Sequence, residues 1–228
     1  MQRKRHKIDV TEDIIHVKCR GSTKLMHVHQ SLLKRLVGPF EKLEVTNGEF
    51  DPITKTLDLS KLAQHDSFEL VVQLLYTGET ELVDEPNEPL FAVTMLGTAY
   101  YAVFHLMTDW DDQYLTGLLN KFMDHLLDRI INPENYGSAL TVEMLLEATK
   151  GFCGPPIRFI SDWLVHGHLT SKMRPARLVQ LVGNRFKDRV LQLFLEQRLA
   201  GYDVPPWEKD PCAYHLHFGE SKRCQARA

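Results

Sequence analysis

The residues best suited to chemistry lie near the C-terminus. The stretch Asp210-Pro211-Cys212-Ala213-Tyr214-His215-Leu216-His217 continues to Cys224, placing two cysteines and two histidines within thirteen residues. Two thiolates and two imidazoles form a standard tetrahedral donor set for structural zinc. The segment is too short and polar to build a core of its own, and metal binding supplies the free energy that would order it. The spacing Cys-x2-His-x-His-x6-Cys is not a common zinc-finger pattern, and His215 and His217 share a side only where the chain is extended. Two readings therefore stand beside each other: a zinc site formed by Cys212, His215, His217 and Cys224, and an irregular tail whose cysteines and histidines are incidental. Redox chemistry of the two cysteines is a third.

The remaining reactive side chains read as structural. His29 lies close to His27 and Ser31 but opens a helix against a hairpin, the setting of a hydrogen-bonded core histidine. His166 and His168 fall at a helix end, where an imidazolium complements the helix dipole. Asp109, Asp111 and Asp112 have the oxygen donors that hard cations take, yet acidic clusters before a helix more often form its solvated start. Cys19 and Cys153 sit among apolar or turn residues, as small buried side chains do. The sequence contains no phosphate-binding loop, dinucleotide-binding glycine fingerprint, His-Glu-x-x-His or Gly-x-Ser-x-Gly.

Composition narrows the class further. Of 228 residues, 43% are hydrophobic, enough for a sizeable core, and the formal net charge of −3 selects for neither nucleic acid nor an anionic membrane surface. Four scattered cysteines do not make a disulfide framework. No apolar run approaches the roughly 18 residues of a membrane span. The basic run Arg3–Lys7 is not followed by a signal-peptide core, so the expected location is intracellular, in nucleus or cytoplasm.

Periodicity supplies the elements. From Asp13, the side chains Ile15, Val17 and Cys19 alternate with His16 and Lys18. Arg20-Gly21-Ser22 suits a tight turn, and Lys24–Val28 returns as a second strand. Leu32, Leu33 and Leu36 then recur at helical spacing up to Gly38-Pro39, and Pro39 opens a short helix presenting Phe40 and Leu43. The polar stretch 44–51 reads as loop, and Thr56–Leu59 as a short strand. Asp66 with Glu69 three residues on has the form of a capping box ahead of Leu70–Tyr76, apolar on nearly all sides and closed by Gly78. A helix is expected from Leu90 to Tyr101 or beyond. After an interruption at 108–112, Leu115, Leu118, Leu119, Phe122, Leu126 and Ile130 form the stripe of a long amphipathic helix. Shorter helices are expected at 140–150 and 156–166 and a longer one at 175–199. The chain divides accordingly into a leader (1–12), a first domain (13–131), a helical extension (132–206) and a tail (207–228).

This order of elements resembles the BTB/POZ fold, an α+β class in which a helical cluster caps a small mixed sheet. The residues carrying the match are Asp13 at the first strand, His29 and Leu33 after the second, Phe40 in the second helix, Phe68-x3-Val72-x2-Leu75-Tyr76-Thr77-Gly78, and Ala99-Tyr100-Tyr101. They cover residues 13–131, and the overall style looks like that of stand-alone BTB proteins of filamentous fungi. Three features depart from the pattern. Val37 replaces a usual serine, a Trp/Asp-rich stretch lengthens the region 101–115, and Gln30 stands where many dimeric members carry the base that faces the first-strand aspartate.

The resemblance implies a non-catalytic protein–protein interaction module that self-associates or bridges protein partners, with no small-molecule substrate, nucleic acid or membrane. Asp13, Phe40, Leu43, Val83 and Glu85 are then the expected partner-binding residues. Val83-Asp84-Glu85 also fits the hydrophobic-x-Glu element of members that dock on a cullin, which makes a ubiquitin-ligase substrate adaptor the alternative. An enzyme or nucleic-acid binder built on the C-terminal half is a second alternative, without a nucleophile–base pair or a basic, aromatic-laced stripe to support it.

Overall fold

Burial alternates residue by residue along the first strand. Ile15, Val17 and Cys19 are enclosed while His16 and Lys18 face outward, as a pleated strand with one buried face requires. The computed structural model describes residues 13–40, 48–79, 89–107, 113–132, 145–146, 148, 152, 154–169, 192, 204–210 and 212–217. Within them the protein is α+β, with a four-stranded mixed sheet and predominantly α-helical structure after it. Among the described residues no helix is long and apolar enough to cross a membrane.

Strands β1 (Ile14–Lys18) and β2 (Met26–His29) pair antiparallel, with Ile15 opposite Val28 and Val17 opposite Met26. The expected hairpin is present, but its connection is longer than a tight turn. Gly21 does turn the chain, at φ 87°. Arg20 is nevertheless held as a parallel bridge to Gln64, its N–H donating to Ala63 O at 3.0 Å and its carbonyl accepting from His65 N at 2.9 Å. Residues 18–20 are thus drawn toward the segment before the helix that begins at His65 and are not free to reverse at once.

Helix α1 (Gln30–Val37) buries Leu32, Leu33, Leu36 and Val37 and ends at Gly38, whose φ of 68° favours glycine. Strands β3 (Glu49–Asp51) and β4 (Thr56–Asp58) follow as a second hairpin. β4 pairs parallel with β1, giving the order β2-β1-β4-β3. The strand β3 corrects the expectation of a loop through Asp51. Its signal is short: one apolar residue, Phe50, flanked by acids. The Asp51 carboxylate makes the turn, accepting from Ile53 N at 2.8 Å and Thr54 Oγ1 at 2.7 Å.

Lys18 Nζ donates to Asp58 Oδ2 across β1 and β4 at 2.7 Å, and Ser60 N donates to Oδ1 at 2.9 Å. The bond from Lys18 foremost and one from the Ser60 side chain next, with a smaller contribution from the Ser60 N–H, hold the Asp58 carboxyl down at about 2. An unfolded aspartate titrates near 3.9. The stabilisation is therefore complete above about pH 4 and lost as pH falls toward 2. Both side chains are partly exposed, at 53% and 34%, so solvent screening limits the effect to about 1 kcal/mol or less. Urea midpoints measured from pH 5 to 2 should fall less steeply in Lys18→Met than in the native chain. Equal slopes would remove this pair from the acid response. Burial, reinforced by the Asp58 charge, pushes the neighbouring Cys19 thiol up to about 12, which makes it an inert part of the core.

Helix α2 (His65–Thr77) buries Phe68, Leu70, Val71, Leu74 and Leu75. Gly78, left-handed at φ 75°, closes it with an N–H to Leu74 O bond of 2.9 Å. The capping box does not form. Gln64 is the extended residue before the helix, without a side-chain cap, and Asp66 already lies in the first turn. The backbone bonds between Arg20 and the 63–65 segment place the helix start there.

Helices α3 (Pro89–Leu106) and α4 (Gln113–Ile131) follow, and the expected stripe from Leu115 to Ile130 is buried on α4. Helix α5 (Pro155–Leu169) and a single helical turn, α6 (Pro206–Lys209), complete the described elements. The chain forms two compact units, residues 1–81 with 102–118, and residues 82–101 with 119–228. In the first, Arg35 lies over the Tyr114 ring at 3.8 Å, and Tyr114 donates its hydroxyl to Leu75 O at 3.0 Å. In the second, Val93, Leu96, Phe122, Phe152, Phe159 and Tyr214 are each almost fully enclosed.

Candidate functional site

Cys212, His215 and His217 converge within the second unit, one potential ligand atom of each lying within 4.8 Å of the others. Their convergence is built by turns. Cys212 N donates to Asp210 Oδ1 at 3.0 Å and Ala213 N to Asp210 O at 3.0 Å. His215 N then donates to Cys212 O at 3.0 Å, which folds the His215 backbone back on the cysteine. From Leu216 the chain leaves the turn, and the ring centroids of His215 and His217 lie 6.1 Å apart.

Three anchors hold this segment. Tyr214 is 1% exposed and donates its hydroxyl to Asp162 Oδ2 on α5 at 2.7 Å. Its ring meets Phe159 edge-on at 5.2 Å, a favoured aromatic geometry. Asn120 on α4 grips the backbone of Leu216 in both directions, its Nδ2 donating to the carbonyl at 3.1 Å and its Oδ1 accepting from the N–H at 2.8 Å. One turn along the same helix, Asp124 Oδ1 stands 2.9 Å from His215 Nε2. The His215 side chain is only 9% exposed, so this contact is largely shielded from water on the histidine side. The described part of the tail is therefore pinned to α4 and α5, which decides against an unattached tail over 212–217. Cys224, the fourth expected ligand, lies outside the described residues.

Asn120, Asp124 and Asp162 were not singled out in the sequence. Asn120 and Asp124 lie four apart on an amphipathic helix with several other polar residues, and their partners lie more than 90 positions away.

Of the residues expected to bind partners, Asp13 and Phe40 lie among the described residues. Phe40 is 4% exposed and stacked on Phe50, with centroids 4.5 Å apart, so it is a core side chain and not an interface anchor. Asp13 does have a basic partner, Lys55 Nζ at 2.8 Å, supplied by the β3–β4 turn. Leu43, Val83 and Glu85 lie outside the described residues, as do Asp109, Asp111 and Asp112.

Other histidines differ in kind. His29 is half-buried and bonded to Tyr76, with Nδ1 2.6 Å from the hydroxyl and its backbone N–H donating to the same oxygen at 3.0 Å. His166 does lie in the last turn of α5, but burial lowers its pKa despite the opposing charge of Asp162. On the solvent face of the sheet, His16 and His27 bring their Nδ1 atoms to 2.8 Å, one donating and the other accepting. His65, Asp66 and Glu69 form a second group of potential ligands near the start of α2, with both carboxylates exposed.

No family model, curated protein or solved structure matches this chain.

Proposed function

We propose that this chain is a non-catalytic protein–protein interaction module of the BTB/POZ kind. The observation that carries the reading is the meeting of His29 and Tyr76. These residues belong to two separate pieces of the resemblance, the histidine after the second strand and the tyrosine of the Tyr-Thr-Gly helix exit. They lie 47 positions apart in sequence and are joined by two hydrogen bonds. A hairpin, a helix, a short strand and a buried helix closed by glycine also follow one another along the chain, which supports the reading.

The sheet offers a surface for association. β2 is a terminal strand, and the large apolar side chains Ile14 and Leu25, at the ends of the first hairpin, are exposed by 36% and 41%. Terminal strands present backbone groups to which a partner can add. Ile14 and Leu25 supply apolar area beside them, and a specific interface buries about 1,200 Å² or more in total.

Light scattering coupled to size exclusion tests the self-associating branch with the full chain. The expected mass at high concentration is a multiple of the 26.3 kDa chain, with a shift toward one chain in an Ile14→Glu, Leu25→Glu double variant. A native chain that stays at 26.3 kDa at every concentration rejects self-association.

A further inference from the structure

We infer that Cys212, His215 and His217 bind a zinc ion, and that Asp124 of α4 is the positioning residue that orients His215 for it. The donor chemistry comes first. One thiolate with two imidazoles is a set suited to zinc, whereas magnesium and calcium prefer carboxylate and carbonyl oxygens. Zinc–sulfur and zinc–nitrogen bonds of about 2.3 and 2.0 Å place tetrahedral ligand atoms about 3.3–3.8 Å apart. The three potential ligand atoms already lie within 4.8 Å of one another, so closure about an ion needs side-chain movements of about an ångström.

The backbone around them is fixed independently of any ion. Asp210 shapes the turn into Cys212, Tyr214 is sealed against Phe159 and Asp162, and Asn120 holds Leu216 between the two histidines. The ligands thus project from a preformed framework, which lowers the entropic cost of assembling the site.

Asp124 supplies the second, independent observation. Histidines that bind metals commonly give their other ring nitrogen to a carboxylate, which fixes the tautomer and raises the basicity of the ligating nitrogen. Asp124 Oδ1 is 2.9 Å from His215 Nε2, which assigns Nδ1 of His215 to the metal. On binding, the Cys212 thiol yields its proton to solvent and coordinates as thiolate.

The full chain, purified without chelator, is analysed for zinc and then stripped and titrated with cobalt(II). One zinc per chain is expected, along with the visible bands of tetrahedral cobalt and a near-ultraviolet thiolate charge-transfer band. Cys212→Ser should weaken the charge-transfer band, and both it and His217→Gln should lower zinc affinity at least tenfold. Asp124→Ala should weaken zinc by about 10–100-fold while keeping tetrahedral cobalt bands, with recovery in Asp124→Glu. Native chain with unchanged far-ultraviolet circular dichroism that takes up neither metal overturns the site. So do Cys212→Ser and His217→Gln variants that bind as tightly as the native chain, since the metal would then sit elsewhere. Unaltered affinity in Asp124→Ala overturns the positioning role. None of these readouts depends on the mass in solution, so this inference and the interaction reading fail separately.

Discussion

Gly97→Ala should destabilise the protein by about 2–3 kcal/mol, although the same exchange in an exposed helix stabilises by up to about 1 kcal/mol. Gly97 lies within α3, where alanine is the better helix former. What reverses the sign is Phe152. A methyl group on Gly97 would overlap the ring of Phe152, and Phe152 is fully enclosed. In a close-packed interior the ring can make room only by leaving its rotamer well or displacing its own neighbours. The strain outweighs the propensity gain. Gly117 provides the comparison in α4, because a methyl there meets nothing within 4 Å. Gly117→Ala should therefore raise stability by about 0.5–1 kcal/mol. Urea unfolding of both variants distinguishes the cases, and a stabilised Gly97→Ala would show that Phe152 does not occupy the space beside α3. A Gly97→Ala, Phe152→Leu double variant should recover part of the loss, since contacting sites are not additive.

Local patterns carried much of the fold. The alternation from Ile15 to Cys19 and the helical spacing of Leu115 to Ile130 correspond to buried faces in the structure, because burial and periodicity are two aspects of one geometry. What failed was decided by distant backbone. Asp66 and Glu69 have the letters of a capping box, but the bonds between Arg20 and the 63–65 segment fix where α2 begins. β3 carries a single apolar residue and exists because β4 offers it a partner. Phe40 shows another limit: an exposed anchor and a buried ring have the same letter, and only the Phe50 stack separates them. The candidate site divides in the same way. Cys212, His215 and His217 were legible as candidates because cysteine and histidine are chemically distinctive and close in sequence. Asp124 was not, because a carboxylate on a helix acquires meaning only when His215, 91 residues away, is brought to it.

The second large effect is expected at Tyr214. Its replacement by alanine should cost about 3–5 kcal/mol, the range for emptying a buried aromatic site. The side chain is 1% exposed and packed on Phe159, and its hydroxyl is a donor to the buried carboxylate of Asp162. Tyr214→Phe separates these contributions. It keeps the ring and removes the hydroxyl donor, and it should cost about 1.5–3 kcal/mol, as expected for a hydrogen bond to a charged group. Urea unfolding should rank native above Tyr214→Phe above Tyr214→Ala. A Tyr214→Ala chain with an unmoved midpoint would mean that the 212–217 segment contributes nothing to the core. The same variants bear on the metal, since Tyr214 lies between Cys212 and His215 in the turn. If the ring fixes that turn before any ion arrives, zinc affinity must fall in Tyr214→Ala even though every ligand is retained. If the ion instead gathers an otherwise unanchored segment, affinity should be nearly indifferent to Tyr214. The fully buried ring and its bond to Asp162 favour the first order of events: packing sets the turn, and the turn presents the ligands.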